Sequence, residues 1–369
     1  MKKKLSIGVM FGGRSGEHEV SLVSAASVMA SLNKEKYEIV PIGITKDGRW
    51  FSGPKIIDTL KKGRVPKDEE EAVILPEPTK KGLHFLKGGK FVDLDVVFPV
   101  LHGTFGEDGS IQGLFDMAGI PYVGAGVLGS SVGMDKIIQK EIVEREGINV
   151  VPFIWFLNKL FDTQSEIIIK NIEQHLSYPC FVKPANSGSS VGISKAHDRL
   201  ELKNAIKEAA RYDRRTIVEK GIEGAREIEV AILGNDEVTA SCPGEIVPSN
   251  EFYDYDAKYV DGSSKTVIPA DLPERSIKRV QEMAIHAYRA IDCAGMARVD
   301  FLVTESQIYL NELNTIPGFT SISMYPKLWE ASGIPYPELL DRLVRLALER
   351  SDERSGLLTT YQPKKEWYK

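Results

Sequence analysis

The sequence predicts an α/β protein of two or three domains, with a parallel sheet at the N-terminus and an α+β part with antiparallel strands behind it. Three observations predict this. At 369 residues the chain is too long for one ordinary core. Residues 5–44 run strand, glycine-rich turn, helix, strand, an order that implies parallel strands. Residues 296–318 read instead as a hairpin: 297–303 apolar and β-branched, 304–307 polar and turn-like, 308–313 apolar again.

Bulk properties exclude several classes. A net charge of −5 argues against nucleic acid as the main partner. No apolar run reaches the length of a membrane span. The opening Met1-Lys2-Lys3-Lys4 and its apolar continuation mimic a signal peptide, but run straight into Gly12-Gly13-Arg14 without a cleavage pattern and read as the first strand. Cys180, Cys242 and Cys293 are far apart with no Cys-x-x-Cys, which fits a reducing cytoplasm without disulfides or structural zinc.

Taken in order, 5–11 is a buried strand, 12–16 a tight turn, 17–32 a helix and 37–44 a second strand. Gly12-Gly13-x-x-Gly16 lacks the Gly-x-Gly-x-x-Gly spacing, and no acidic residue clearly ends the second strand, so NAD is not expected. The helix start, with Glu17 and His18, suits a small anionic substrate, although Glu17 there also serves the helix dipole. Residues 45–92 show no clear period, and 61–72 read as a solvated insertion. Residues 94–101 form an apolar strand, with His102 at its carboxyl end, where open α/β sheets hold ligands. A boundary falls near 122, and Met134-Asp135-Lys136 opens a helix over 137–146.

Residues 179–193 read as strand, small-residue loop, strand. Backbone N–H groups of Asn186 to Ser190 can converge on an anion beside Lys183, without the Gly-Lys-Ser/Thr of a Walker loop. Strands follow at 216–219 and 226–233, the second carrying Glu227 and Glu229 on one face. Residues 245–268 have no steady period and read as a lid loop. A helix over 273–293 shows an apolar stripe of Ile277, Val280, Ala284, Ala287 and Ile291. An amphipathic helix over 336–350 closes the chain, with a frayed polar tail from Ser351.

On the hairpin, alternation puts Arg298, Asp300 and Leu302 on one face, and Ile308, Leu310, Glu312 and Asn314 together on one face of the return strand. Asp300 and Glu312 then come close enough to share a cation, and with Asn314 they form an oxygen-donor set suited to Mg²⁺.

Arg298-x-Asp300-Phe301 followed by Asn311-Glu312-x-Asn314-Thr315-x-Pro317-Gly318 resembles the metal-binding segment of the ATP-grasp ligases, in the form found in D-alanine:D-alanine ligases. Four further motifs match in register: Ser15-x-Glu17-x-Glu19-Val20-Ser21, His102-Gly103-x-x-Gly106-Glu107-Asp108-Gly109, Lys183-Pro184-x-x-x-Gly188-Ser189-Ser190-Val191-Gly192, and the strand exit after Glu219. The resemblance implies an N-terminal domain over 1–122 and two ATP-grasp domains over 123–215 and 216–369. It implies ATP as co-substrate with two Mg²⁺ ions, or Mn²⁺ as a substitute, on Asp300, Glu312 and Asn314. Lys136, Lys183, Ser189, Ser190 and the lid's Lys258 would hold phosphates. Glu219, Lys220 and Ile222 would meet adenine, and Glu227 or Glu229 the ribose.

By the same resemblance Glu17 would hold the first D-alanine's ammonium, with Ser189 and Tyr259 in its hydrogen-bonded set, and His102 would line the substrate site. Arg298 and Gly318 would stabilise the oxyanion, and Ser323 and Met324 would bind the second carboxylate. No side chain is singled out as the base. The implied protein is a bacterial cytoplasmic homodimer that joins two D-alanines for peptidoglycan. The alternatives are a D-alanine:D-lactate ligase or another ATP-grasp carboxylate-amine ligase.

Overall fold

The computed structural model describes residues 3–64, 66–188, 190–247 and 265–363. The first unit comprises β1 (Leu5–Gly12), α1 (His18–Ser31), β2 (Tyr37–Ile44), β3 (Trp50–Ser52), α2 (Ile56–Lys61), β4 (Glu70–Ile74), β5 (Leu83–Phe85), β6 (Phe91–Val92) and β7 (Val96–Val100). Its sheet order is β6-β5-β4-β3-β2-β1-β7. Only β2, β1 and β7 run parallel; β3 to β6 extend the sheet antiparallel. The segment 45–92 therefore supplies strands β3 to β6 with α2 between them, and the stretch read as a solvated insertion ends in β4. These strands are two to five residues long, too short to show a period. The turn after β1 is tied down from α1: Ser21 Oγ accepts from Gly12 N at 2.8 Å and donates to Val100 O.

Helices α3 (Ser110–Ala118), α4 (Val127–Met134) and α5 (Lys136–Arg145) lead to a second sheet. Asp135 caps α5, accepting from the amides of Ile137 and Ile138 at 3.2 and 3.1 Å. The second sheet holds β8 (Phe153–Leu157), β9 (Cys180–Pro184), β10 (Ser194–Ala196) and β11 (Arg215–Lys220), with α6 (Asn158–His175) after β8 and α7 (Arg199–Ala209) after β10. Its order is β10-β9-β11-β8, all antiparallel. It has its own core, in which Ile169 and Ile172 of α6 and Leu202 and Ile206 of α7 pack with Val182 and Val218.

The third sheet contains β12 (Arg226–Gly234), β13 (Thr239–Ala240), β14 (Gly244–Val247), β15 (Lys265–Val267), β16 (Gly295–Val303) and β17 (Ile308–Asn314). Its order is β15-β14-β12-β16-β17, with β13 on β12. The two ends of the stretch read as a lid, 245–268, are thus strands paired to each other. Helix α8 (Glu274–Ala290) covers one face with Val280, Ala284 and Ala287. Helices α9 (Met324–Ala331) and α10 (Tyr336–Ser355) pack into the core of the first unit: Phe98 of β7 meets Phe319 edge-on at 5.6 Å, and Leu339, Leu343 and Val344 belong to the same cluster. Helix α10 continues to Ser355, past the frayed tail expected from Ser351. The first and third sheets therefore share one core, each has a further core on its other face, and the second sheet has its own.

The hairpin corrects one expectation about faces. Phe301 pairs with Leu310 but Asp300 pairs with Glu312, so Asn311 is an extra residue in β17. Leu310 and Leu313, three apart, both enter the core, whereas Glu312 and Asn314 turn to the opposite face. Ile308 and Leu310 thus do not share a face with Glu312, because the bulge resets the alternation between them.

Candidate active site

One cleft lies where the three sheets meet, and most of the residues singled out in the sequence line it. From β16 and β17 come Arg298, Asp300, Glu312 and Asn314. Arg298 grips Asp300 with two parallel bonds, Nε to Oδ1 and Nη2 to Oδ2, both 2.7 Å. Its Nε also stands 3.1 Å from Glu229 Oε2. Asn314 Nδ2 donates to Asp300 Oδ2 at 3.1 Å. Two carboxylates directly opposite on neighbouring strands, with an amide beside them, form a hard-oxygen set that fits Mg²⁺.

From the second sheet come Lys183 on β9 and Glu219 on β11. Lys183 Nζ lies 2.6 Å from Glu219 Oε2, and Lys140 Nζ of α5 lies 3.0 Å from Glu219 Oε1. Burial works against the charge on Glu219, but the two ammonium groups outweigh it and hold the carboxyl below the usual range. Lys136, one turn before Lys140, donates from Nζ to Ser187 O at 2.7 Å and lies 3.7 Å from Glu312 Oε2. It joins the small-residue loop to the carboxylate strand. Ser190 in that loop has a left-handed backbone, φ 60°. Gly188 lies so close to Glu17 that a Cβ there would collide with its carboxylate.

From the first unit come Glu17, at the N-terminus of α1, and His102, beyond β7. His102 is buried; Nδ1 lies 3.2 Å from Ile316 O and Nε2 3.2 Å from Ser24 Oγ. A carbonyl only accepts, so Nδ1 carries the proton, and a neutral ring then accepts the Ser24 hydroxyl at Nε2. Burial lowers the ring's pKa and keeps it neutral. Glu107 was not singled out in the sequence, although it stands within the quoted His102 to Gly109 run. Its Oε2 accepts from Gly103 N at 2.6 Å, and removal from water, then the nearby Glu17, pushes its carboxyl up to about 8.

That shift predicts a stability effect. Between the ordinary value of 4.5 and about 8, the folded chain holds a proton on Glu107 that the unfolded chain has lost. Stability from this group is therefore greatest below that window and falls as pH rises through it. Comparing melting temperatures of wild type and Glu107→Gln from about pH 5 to about pH 9 should show the wild type losing ground to the variant. Parallel curves would place Glu107 in ordinary solvent.

Gly318 approaches Ser323 closely, since a Cβ there would stand 2.6 Å from Ser323 Oγ. Ser323 Oγ accepts from Thr320 N at 3.0 Å and shares a hydrogen with Thr320 Oγ1 at 2.8 Å. Met324 is the first residue of α9, where amides lack intrahelical acceptors and face an anion well. Glu227 and Lys220 line the cleft, and the Lys220 amide donates to Pro152 O at 2.9 Å. Ile222 lies beyond β11 and is not among the lining residues. Ser189, Lys258 and Tyr259 lie outside the described residues. The sequence reading also missed Gln139 and Lys140; both lie on the buried face of α5 that begins with Lys136, at helical spacing.

A partly parallel sheet followed by two antiparallel sheets, closing on a cleft with lysines and a small-residue loop on one side and paired carboxylates on the other, defines the ATP-grasp class. Residues 6–125 match the family profile described as D-ala D-ala ligase N-terminus, and residues 142–345 the one described as D-ala D-ala ligase C-terminus. A D-alanine--D-alanine ligase of Heliobacterium modesticaldum is 53% identical over 98% of this chain and 99% of its own length. One from Natranaerobius thermophilus is 52% identical over 97% and 99%. Two solved structures superpose with TM-scores of 0.83: the VanG D-Ala:D-Ser ligase of Enterococcus faecalis, 40% identical over 94% of this chain and 100% of that one, and the D-alanine-D-alanine ligase of Coxiella burnetii, 39% identical over 95% and 96%. The chain belongs to the D-alanine–D-alanine ligase family. Among the described residues no helix is long and apolar enough to cross a membrane.

Proposed function

We propose that this chain uses ATP to join two D-alanines into D-alanyl-D-alanine for peptidoglycan, through a D-alanyl phosphate. The observation that carries the reading is Lys136 standing between the small-residue loop and the carboxylate pair, 2.7 Å from Ser187 O and 3.7 Å from Glu312 Oε2. A triphosphate bridging that gap would meet cations from the second sheet and carboxylates from the third.

A carboxylate is a poor acyl donor at neutral pH, so its oxygen must first take the γ-phosphoryl group of ATP. Asp300, Glu312 and Asn314 would hold two Mg²⁺ ions, or Mn²⁺ in their place, which when bound neutralise phosphate charge and align the transfer. Lys136, Lys183, Ser189 and Ser190 bind phosphates, with Lys258 from the lid. Glu219 and Lys220 meet the adenine, while Ile222, outside the cleft lining, is left out of that contact. Glu227 or Glu229, which share one face of β12, meets the ribose.

Glu17 binds the first D-alanine's ammonium, with Ser189 and Tyr259 beside it, and His102 lines the substrate pocket as a neutral ring. The second D-alanine's carboxylate rests on the Ser323 hydroxyl and the Met324 amide. Its amine attacks the acyl phosphate carbon, Arg298 and the Gly318 amide stabilise the oxyanion, the C–O bond to phosphate breaks, and the nitrogen's extra proton passes to the departing phosphate or to water. Closing the cleft keeps water from the acyl phosphate. A cytoplasmic homodimer completes the reading.

The test is ADP release with D-alanine alone, then with D-lactate or D-serine as competing acceptor, with products identified. D-Serine is included because one similar solved structure is that of a D-Ala:D-Ser ligase. D-Alanyl-D-alanine should dominate. A main product carrying D-lactate or D-serine would overturn the acceptor assignment.

A further inference from the structure

Strand β17 is the last strand of its sheet; the segment 149–150 bridges it at Leu310, where Leu310 N donates to Asn149 O at 2.8 Å, and the backbone groups beyond that point need other partners. Helix α5 supplies them with side chains. Gln139 does the work of a neighbouring strand at Leu313: its Nε2 donates to Leu313 O and its Oε1 accepts from Leu313 N, both at 3.0 Å. Lys140 Nζ donates to Asn311 O at 2.6 Å. Asn311 is the bulge residue.

The bulge decides where Glu312 points. Continuing the Phe301–Leu310 pairing without a slip would set Asn311 opposite Asp300 and Glu312 opposite Val299. Val299 is fully buried in the core. One extra residue moves Glu312 from that apolar face to the position facing Asp300. The group bonded to the extra residue's carbonyl is an ammonium only 1% exposed, held also by Glu219 Oε1 at 3.0 Å. A lysine so deeply buried is costly unless paired, and the two partners here are the bulge and a residue on the facing sheet.

We propose that Lys140 is a positioning residue: by clamping the bulge at Asn311 it keeps Glu312 opposite Asp300, and through Glu219 it fixes the carboxylate strand relative to the second sheet. This rests on the reading of Asp300 and Glu312 as metal ligands. Lys140 itself touches no reacting atom. Its loss should act on metal affinity, leaving the D-alanine contacts at Glu17, Ser323 and Met324 unaffected.

The experiment is a Mn²⁺ titration followed by electron paramagnetic resonance, with a non-hydrolysable ATP analogue present, on wild type, Lys140→Met, Lys140→Gln and Glu312→Gln. Melting curves and the D-alanine KM are measured alongside. Glu219 keeps Lys183 as partner in the Lys140 variants, and the glutamine keeps a donor should the methionine fail to fold. Outer partners of metal ligands typically govern roughly 10–100-fold in affinity. Lys140→Met should weaken Mn²⁺ about tenfold or more, Lys140→Gln less, with the D-alanine KM unchanged. If Glu312→Gln loses Mn²⁺ while folded Lys140 variants bind like wild type, the clamp is refuted and the ligand assignment stands. If Glu312→Gln binds Mn²⁺ like wild type, the ligand assignment fails and the clamp's role fails with it.

Discussion

Glu312→Gln should stop Mg²⁺-dependent ADP release while the protein melts within a few degrees of wild type. The amide has the shape of the carboxylate and lacks its charge. Glu312 is a quarter exposed and lies across from Asp300 on the cleft face, so the core does not depend on it. What is lost is one of the two anionic donors that make the set suitable for a divalent ion. Changing even the outer partners of a metal site costs up to about a hundredfold, and a direct ligand should cost at least that in turnover. Steady-state ADP release and a thermal melt on the same preparation check both halves. Near wild-type turnover would remove Glu312 from the metal set.

Arg298→Gln should cost both rate and stability. Arg298 lies between Asp300 on its own strand and Glu229 on β12, and those two carboxylates are paired across the β12–β16 ladder. Without the guanidinium they face each other in a half-dry cleft, and breaking such a group should cost about 3 kcal/mol of unfolding free energy. If Arg298 also meets the oxyanion, kcat should fall by roughly 10²–10³. The double change Arg298→Gln with Glu229→Gln separates the two effects. Stability, measured by denaturant unfolding, should recover because the repulsion is gone, while kcat should stay low. Recovery of kcat together with stability would make Arg298 a structural residue only.

The sequence showed the long elements and the charged motifs for physical reasons that also mark where it fell silent. The β1–α1–β2 unit was legible because a buried parallel strand is an unbroken apolar run and its crossover helix has a glycine turn before it. Strands β3 to β6 were not, since two to five residues cannot display alternation. Arg298, Asp300, Glu312 and Asn314 stood out because three charges and an amide on an otherwise apolar hairpin are costly without a purpose.

Their common face was inferred with the wrong companions. Alternation alone groups Leu310 with Glu312, and a bulge cannot be read from a run such as Ile-Tyr-Leu-Asn-Glu-Leu-Asn. The three-residue spacing of Leu310 and Leu313 was the available sign. Lys140 and Gln139 escaped notice because polar residues on a helix normally face water, and only the neighbouring edge strand gives them a buried purpose. Glu107 escaped because part of its environment comes from Ile316 and Glu17, which are distant in sequence.

The central claim is that a carboxylate is activated by phosphorylation before the amine attacks. D-Alanine labelled with heavy oxygen in its carboxyl group tests this directly, with mass spectrometry of the inorganic phosphate formed alongside ADP and dipeptide. Phosphorylation places a carboxyl oxygen in the bridge, and attack by the amine leaves that oxygen on phosphate. The account predicts one labelled oxygen in phosphate for each dipeptide made. Dipeptide formation with unlabelled phosphate would contradict it.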